Sequence, residues 1–230
     1  HTFWLNRKAA AYCVAAEEVR WIMKEHNFPL SRVHVTGIPV STAFEERLDK
    51  QEMRKKLELN ADARIVLYMG GGYGARPMKK AVGKILELEH EFQLIVICGK
   101  NENMLKALKE KVSCDNRVKL YGFVTNIHEF MAAADLIITK AGGLTVCESL
   151  CSGLPMLIFS PTPGQEEHNC DYLLERSACL KAGALELLSF KLKFLLENPN
   201  TLKQMSEACY SLARPYAAKA VAATVAGITS

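Results

Sequence analysis

Short apolar runs recur between helical patterns along most of the chain, and this alternation constrains the fold more than any other feature. RIVLYM (64–69), QLIVIC (93–98), RVKLYGF (117–123), DLIITK (135–140) and PMLIFS (155–160) read as strands. Patterns of helical period stand between them over 77–88, 103–112, 127–134, 143–153 and 166–177, with three more helical stretches after them. Strands that are apolar at nearly every position are buried on both faces, and strand–helix alternation builds a parallel sheet covered on both sides. The expected fold is therefore α/β with a doubly wound parallel sheet. Upstream, YCVA (12–15) and RVHVTGIPV (32–40) read as strands flanking a helix over 17–26, and 41–59 reads as a polar linker that becomes a helix.

Composition narrows the function classes. The net charge is +4 and the basic residues are scattered, which is too sparse for a nucleic-acid footprint. The eight cysteines contain no C-x-x-C pair, and several lie in apolar periodic runs as small hydrophobes. They read as reduced thiols, and the expected compartment is the cytoplasm. Cys147 and Cys151 lie four apart on one expected helix with no matching His or Cys pair, so packing is preferred to metal binding. No apolar run reaches membrane-spanning length and no signal peptide is visible. The chain opens on His1 amid structure-like sequence, which suggests a piece of a longer protein.

Ligands of doubly wound sheets bind at the carboxyl ends of the strands. That rule selects loops 70–75, 122–126, 140–145 and 160–166. In MGGGYGARP, four glycines separate a strand from a helix. Without Cβ atoms the backbone can approach a phosphate, which the following helix N-terminus favours; a plain tight turn is the alternative. Lys140, Ala141, Gly142 and Gly143 lead into a second helix start, a second anion site facing the same crevice. Glu148, about a turn inside that helix, suits the two hydroxyls of a ribose. Alternatively, Thr145 caps the helix, with Glu148 closing a capping box. Lys140 is either a diphosphate partner or a solvated cation. SPTPGQEEHNC presents Gln165, Glu166, Glu167, His168 and Asn169 at a helix start. This set suits a polyhydroxylated ligand such as a hexose, or is simply a start whose Glu residues suit the dipole. His168 reads as a surface residue. In YGFV (121–124), backbone groups and Phe123 can flank a flat base, or Phe123 can belong to the core.

YMGGGYG, LYGFVTNIHEFMAAADLIITKAGGLTVCESLCSGLPMLI and PGQEEHN together resemble the C-terminal donor domain of glycosyltransferase family 28. HTFWLNRKAAAYCVAAEEV and VHVTGIPV resemble its glycolipid branch of monogalactosyldiacylglycerol synthases and processive diacylglycerol glucosyltransferases. The resemblance implies the GT-B fold, with two Rossmann-like domains across a cleft. It divides the chain into an N-terminal remnant (1–40), a linker and helix (41–60), a donor domain (61–212) and a C-terminal helix (213–230). Glu148 would then bind the ribose, while Gly142, Gly143, Leu144 and Thr145 would face the diphosphate. Gln165 and Glu166 would contact the hexose, with Asn169 nearby. Gly71, Gly72 and Tyr73 would line the cleft, Phe123 and Val124 would hold uracil, and His1 and Trp4 match the far side.

The implied reaction is inverting transfer of a hexose from UDP-glucose or UDP-galactose to diacylglycerol. The catalytic base would lie in the missing part of the N-terminal domain. With no Asp-x-Asp motif, no metal or other cofactor is expected. The enzyme would sit peripherally on the cytoplasmic face of the membrane. Transfer of N-acetylglucosamine to a polyprenyl-linked acceptor, UDP-sugar epimerisation and a non-catalytic UDP-sugar-binding role are the alternatives.

Overall fold

The computed structural model describes residue 6 and residues 8–70 and 75–229. The described residues form two compact units, one of residues 1–46 with 214–230 and one of residues 47–213. The first break falls inside the stretch read as a linker. The C-terminal helix groups with the N-terminal residues.

The larger unit is built on a six-stranded sheet in which every pairing is parallel. Because two strands precede it in the chain, its members are β3 (Arg64–Met69), β4 (Phe92–Ile97), β5 (Val118–Tyr121), β6 (Leu136–Thr139), β7 (Met156–Phe159) and β8 (Cys179–Ala182). Their spatial order is β5-β4-β3-β6-β7-β8. The helices are α2 (Lys50–Lys56), α3 (Ala75–Leu86), α4 (Glu102–Val112), α5 (Ile127–Ala133), α6 (Gly143–Cys151), α7 (Gln165–Glu175), α8 (Leu185–Glu197) and α9 (Pro199–Leu212). Successive strand residues point to opposite faces. Val66, Tyr68, Leu94, Val96, Leu136, Ile138 and Leu157 pack with α3, α4, α8 and α9 in one core. The alternate residues Ile65, Leu67, Ile95, Ile137 and Ile158 are just as fully buried. Burial on both faces explains the unbroken apolar runs.

β8 corrects the expectation that only helices follow residue 177. Its sequence CLKA is four residues long and carries Lys and Ala, which are poor strand formers, at the sheet edge. The helix expected over 41–59 is also shorter. A 3-10 turn spans Thr42–Phe44, and α2 begins only after Asp49, whose carboxylate accepts from the Glu52 amide at 2.8 Å. Arg54 in α2 is buried rather than part of a surface basic cluster. It donates to the carbonyls of Ala133 and Ala61 and pairs with Asp135 at 2.7 Å, tying α2 to the start of β6.

The smaller unit pairs β1 (Tyr12–Val14) in parallel with β2 (Val33–Val35), joined through α1 (Glu17–Glu25), and includes α10 (Ala217–Thr229). The strand expected over 32–40 is reduced to Val33–Val35, since Gly37 turns the chain with φ +84°. Val14, Met23, Phe28 and Val33 form its small core.

Candidate functional site

Strand order reverses between β3 and β6. β4 and β5 extend to one side of this pair, β7 and β8 to the other. The loops leaving the carboxyl ends of β3 and β6 therefore diverge and open a crevice. On the β3 side the described chain reaches Gly70, which is buried, and resumes in α3 at Ala75. Gly71, Gly72 and Tyr73 lie outside the described residues, as do His1 and Trp4.

On the β6 side the chain makes a tight elbow. Lys140 is half-buried and its ammonium makes no hydrogen bond or ion pair among the described residues. Ala141 is fully buried with φ +69°, a left-handed conformation that costs a residue with a Cβ about 1–2 kcal/mol. Gly142 is the N-cap of α6, and no side chain caps it. The first intrahelical bond runs from the Val146 amide to the Gly142 carbonyl at 2.9 Å. The amides of Gly143, Leu144 and Thr145 thus have no intrahelical acceptor, and they face outward from the positive end of the helix. The Leu144 side chain is exposed and Thr145 is half-buried.

With Gly142 at the cap, Thr145 lies within the helix and the capping-box alternative fails. Glu148 is half-buried and makes no hydrogen bond or ion pair among the described residues. Burial pushes its carboxyl above the usual glutamate range. A half-buried carboxylate with no partner among the described residues costs stability, which makes Glu148 a candidate for meeting a ligand's donors.

α7 brings the second set of side chains to this elbow. Gly164, its N-cap, has φ +95°, and the Gly164 amide donates to Glu167 at 3.3 Å. That contact makes Glu167 the residue serving the helix start. Glu166 instead accepts from the Thr162 amide at 2.6 Å, and its other oxygen approaches Gly142: a Cβ added there would lie 3.7 Å from it. Asn169 donates to the Ala141 carbonyl at 2.9 Å and so holds the elbow. Gln165 and His168 are exposed. The fold thus gathers Gly142, Glu166 and Asn169 at one point.

Phe123 is 63% exposed beyond the end of β5, and Val124 is half-buried. The core alternative for Phe123 is excluded. Beside this loop lies a cavity of about 550 Å³, lined by Met69 and residues 97–103. The loop after β4 is absent from the four selected from sequence, although it repeats their grammar. A strand ends, Gly99 takes φ +58°, and Asn101 caps α4 by accepting from the Met104 amide at 2.9 Å. Reading every strand end by that grammar finds it. Among the described residues, no group of three or more His, Cys, Asp or Glu side chains is placed to hold a metal ion.

Comparison with known proteins follows this geometry. The model of the glycosyltransferase family 28 C-terminal domain matches residues 65–221. The processive diacylglycerol beta-glucosyltransferase of Bacillus licheniformis is 32% identical over 214 residues, 92% of this chain and 56% of that protein. The enzyme of the same name from Bacillus subtilis is 31% identical over 212 residues, 90% of this chain and 54% of that protein. The chain thus spans little more than half the length of these relatives. Among solved structures, the UDP-GlcNAc 2-epimerase from Neisseria meningitidis bound to UDP-GlcNAc aligns with a TM-score of 0.73 at 17% identity, over 95% of this chain and 62% of that one. Anabaena HepE in complex with UDP-glucose aligns with a TM-score of 0.66 at 15% identity, over 96% and 65%. At these identities the likeness is one of fold. A matching family model over most of the chain, on a doubly wound sheet with an open amide cluster at its switch point, makes this chain a member of glycosyltransferase family 28 that carries the family's C-terminal domain.

Proposed function

We propose that this chain is the donor-binding part of an inverting glycosyltransferase that moves a hexose from a UDP-sugar to diacylglycerol. The observation that carries the reading is Glu148: a half-buried carboxylate with no hydrogen bond or ion pair among the described residues, on a helix whose N-terminal amides open at the switch point of the sheet. A ribose offers two adjacent hydroxyl donors to such a carboxylate. The amides of Gly143, Leu144 and Thr145, with Lys140, suit the diphosphate. The names of the curated relatives supply the acceptor.

In this reading the acceptor hydroxyl attacks the anomeric carbon on the face opposite the nucleotide. The C–O bond to UDP breaks, and the hydroxyl proton passes to a base supplied from outside this chain. Negative charge grows on the leaving diphosphate, where preorganised amides and Lys140 stabilise it. Gln165 and Glu166 hold the hexose hydroxyls, and Asn169 keeps the elbow in place. Phe123 and Val124 border the uracil. The acceptor is a bilayer lipid, and among the described residues no helix is long and apolar enough to cross a membrane. In this reading the enzyme meets that lipid at the membrane surface, on the cytoplasmic side.

Titration calorimetry with UDP tests this. Glu148→Ala should weaken binding by about 1.5–3 kcal/mol, the range for hydrogen bonds to a charged group. Unchanged affinity in a folded variant would remove Glu148 from the site.

A further inference from the structure

The cavity beside Phe123 contains a cation that the donor-site reading leaves unused. Met69, Ile97 and Tyr121 are register partners across β3, β4 and β5, so the loops after these strands rise side by side. The loops after β4 and β5 approach closely. The Cys98 amide donates to the Tyr121 carbonyl at 2.9 Å, and a Cβ added at Gly122 would lie 3.8 Å from the Gly99 carbonyl oxygen. Lys100, on the cavity rim, holds its ammonium 5.3 Å from the centre of the exposed Phe123 ring. No hydrogen bond or ion pair reaches that ammonium among the described residues. Its neighbour Asn101 is committed to capping α4.

The position of this cation along the sheet decides what it meets. β3 stands between β4 and β6, so the loop that carries Lys100 leaves the sheet two strand spacings, about 10 Å, from the start of α6. A ribose fills such a gap. The portion of a nucleotide that reaches Lys100 is then the base and not the diphosphate. An ammonium has donors only. Uracil presents carbonyl acceptors on both sides of its ring nitrogen, whereas cytosine replaces one of them with an amino donor.

We propose that Lys100, held against Phe123, is a specificity-determining residue that reads a uracil carbonyl and rejects the cytosine amino group. The proposal rests on the UDP-sugar reading and adds a residue and a selectivity to it. The test measures UDP and CDP affinities of the chain as it stands, of Lys100→Met and Lys100→Arg, and of Lys106→Met, which removes the same charge from an exposed position on α4. Lys100→Met should lose about ten-fold or more in UDP affinity, with little change for CDP, so that the preference for uracil collapses. Lys100→Arg should keep most of that preference and Lys106→Met all of it. An unchanged UDP-to-CDP ratio in Lys100→Met would overturn the proposal, whether neither affinity falls or both fall together, as they would for a lysine serving the diphosphate. Failure of the unaltered chain to bind UDP would instead overturn the UDP-sugar reading, and this inference with it.

Discussion

Glu148 sits where burial opposes its charge and no partner among the described residues relieves it. Its carboxyl is held above the usual glutamate range, so the folded chain binds this proton more tightly than the unfolded chain does. Stability from this residue is therefore highest at pH below the ordinary glutamate value and falls as pH rises through the raised one. At neutral pH, Glu148→Gln should raise the melting temperature of the ligand-free chain while weakening UDP binding. The melting-temperature difference should shrink as the pH drops below the ordinary glutamate range. UDP affinity of the unaltered chain should decline over the same acid limb, because the ribose hydroxyls need the ionised acceptor. Thermal melts and calorimetry on a pH series check both signs; a residue that merely packs the helix would show neither. Ala141 follows the same logic, since its left-handed backbone is tolerated because Asn169 pins its carbonyl.

Among the elements, α6 has two contrasting ends. Its N-terminus is left open at Gly142, and its C-terminus is closed with care. The Leu154 amide donates to Ser149 at 2.9 Å and the Gly153 amide to Leu150 at 3.0 Å, a Schellman pair around Gly153 at φ +59°. A Cβ at Gly153 would fall 2.1 Å from the Tyr210 ring of α9. That ring has little room to move, since its hydroxyl donates to the Ser152 carbonyl and Arg47 lies over its face at 3.8 Å. Gly153→Ala combines left-handed strain with overpacking and should cost about 2–5 kcal/mol in urea unfolding. Asn169→Ala loses the tie from α7 to the elbow and should cost about 1 kcal/mol. A Gly153→Ala loss below that of Asn169→Ala would show that α9 yields easily and does not anchor α6.

At the scale of the whole chain, the donor site as proposed draws on the loops after β4, β5, β6 and β7, and every charge it assigns to the diphosphate belongs to backbone amides or Lys140. UDP binding should therefore survive excess chelator with its affinity unchanged within error. A strict requirement for added Mn²⁺ would replace the amide cluster by a metal and withdraw the roles given to these loops.

Much of this was legible in residue order, because periodicity and end signals are local. The apolar runs announced buried parallel strands, and strand–glycine–helix joins marked where amides open. Glu166 and Asn169, which the fold brings to the elbow before α6, could be singled out because they follow such a join. Residues that only long-range packing informs were not legible. CLKA becomes a strand because β7 offers it a partner, not through its own propensity. Whether Glu148 completes a cap or stands free depends on which residue starts α6, and the buried turn at Ala141 places that start at Gly142. Lys100 meets Phe123, 23 positions further along the chain, because β4 and β5 pair. The sequence by itself determined five of the six strands of the large sheet, most of the helices and the strand ends at which the proposed site lies. The tertiary structure alone decided the order β5-β4-β3-β6-β7-β8, and with it which ends share a crevice. The physical reason is that hydrogen bonding between parallel strands is nearly indifferent to side-chain identity, so neighbours are chosen by the packing of helices on both faces rather than by any local pattern.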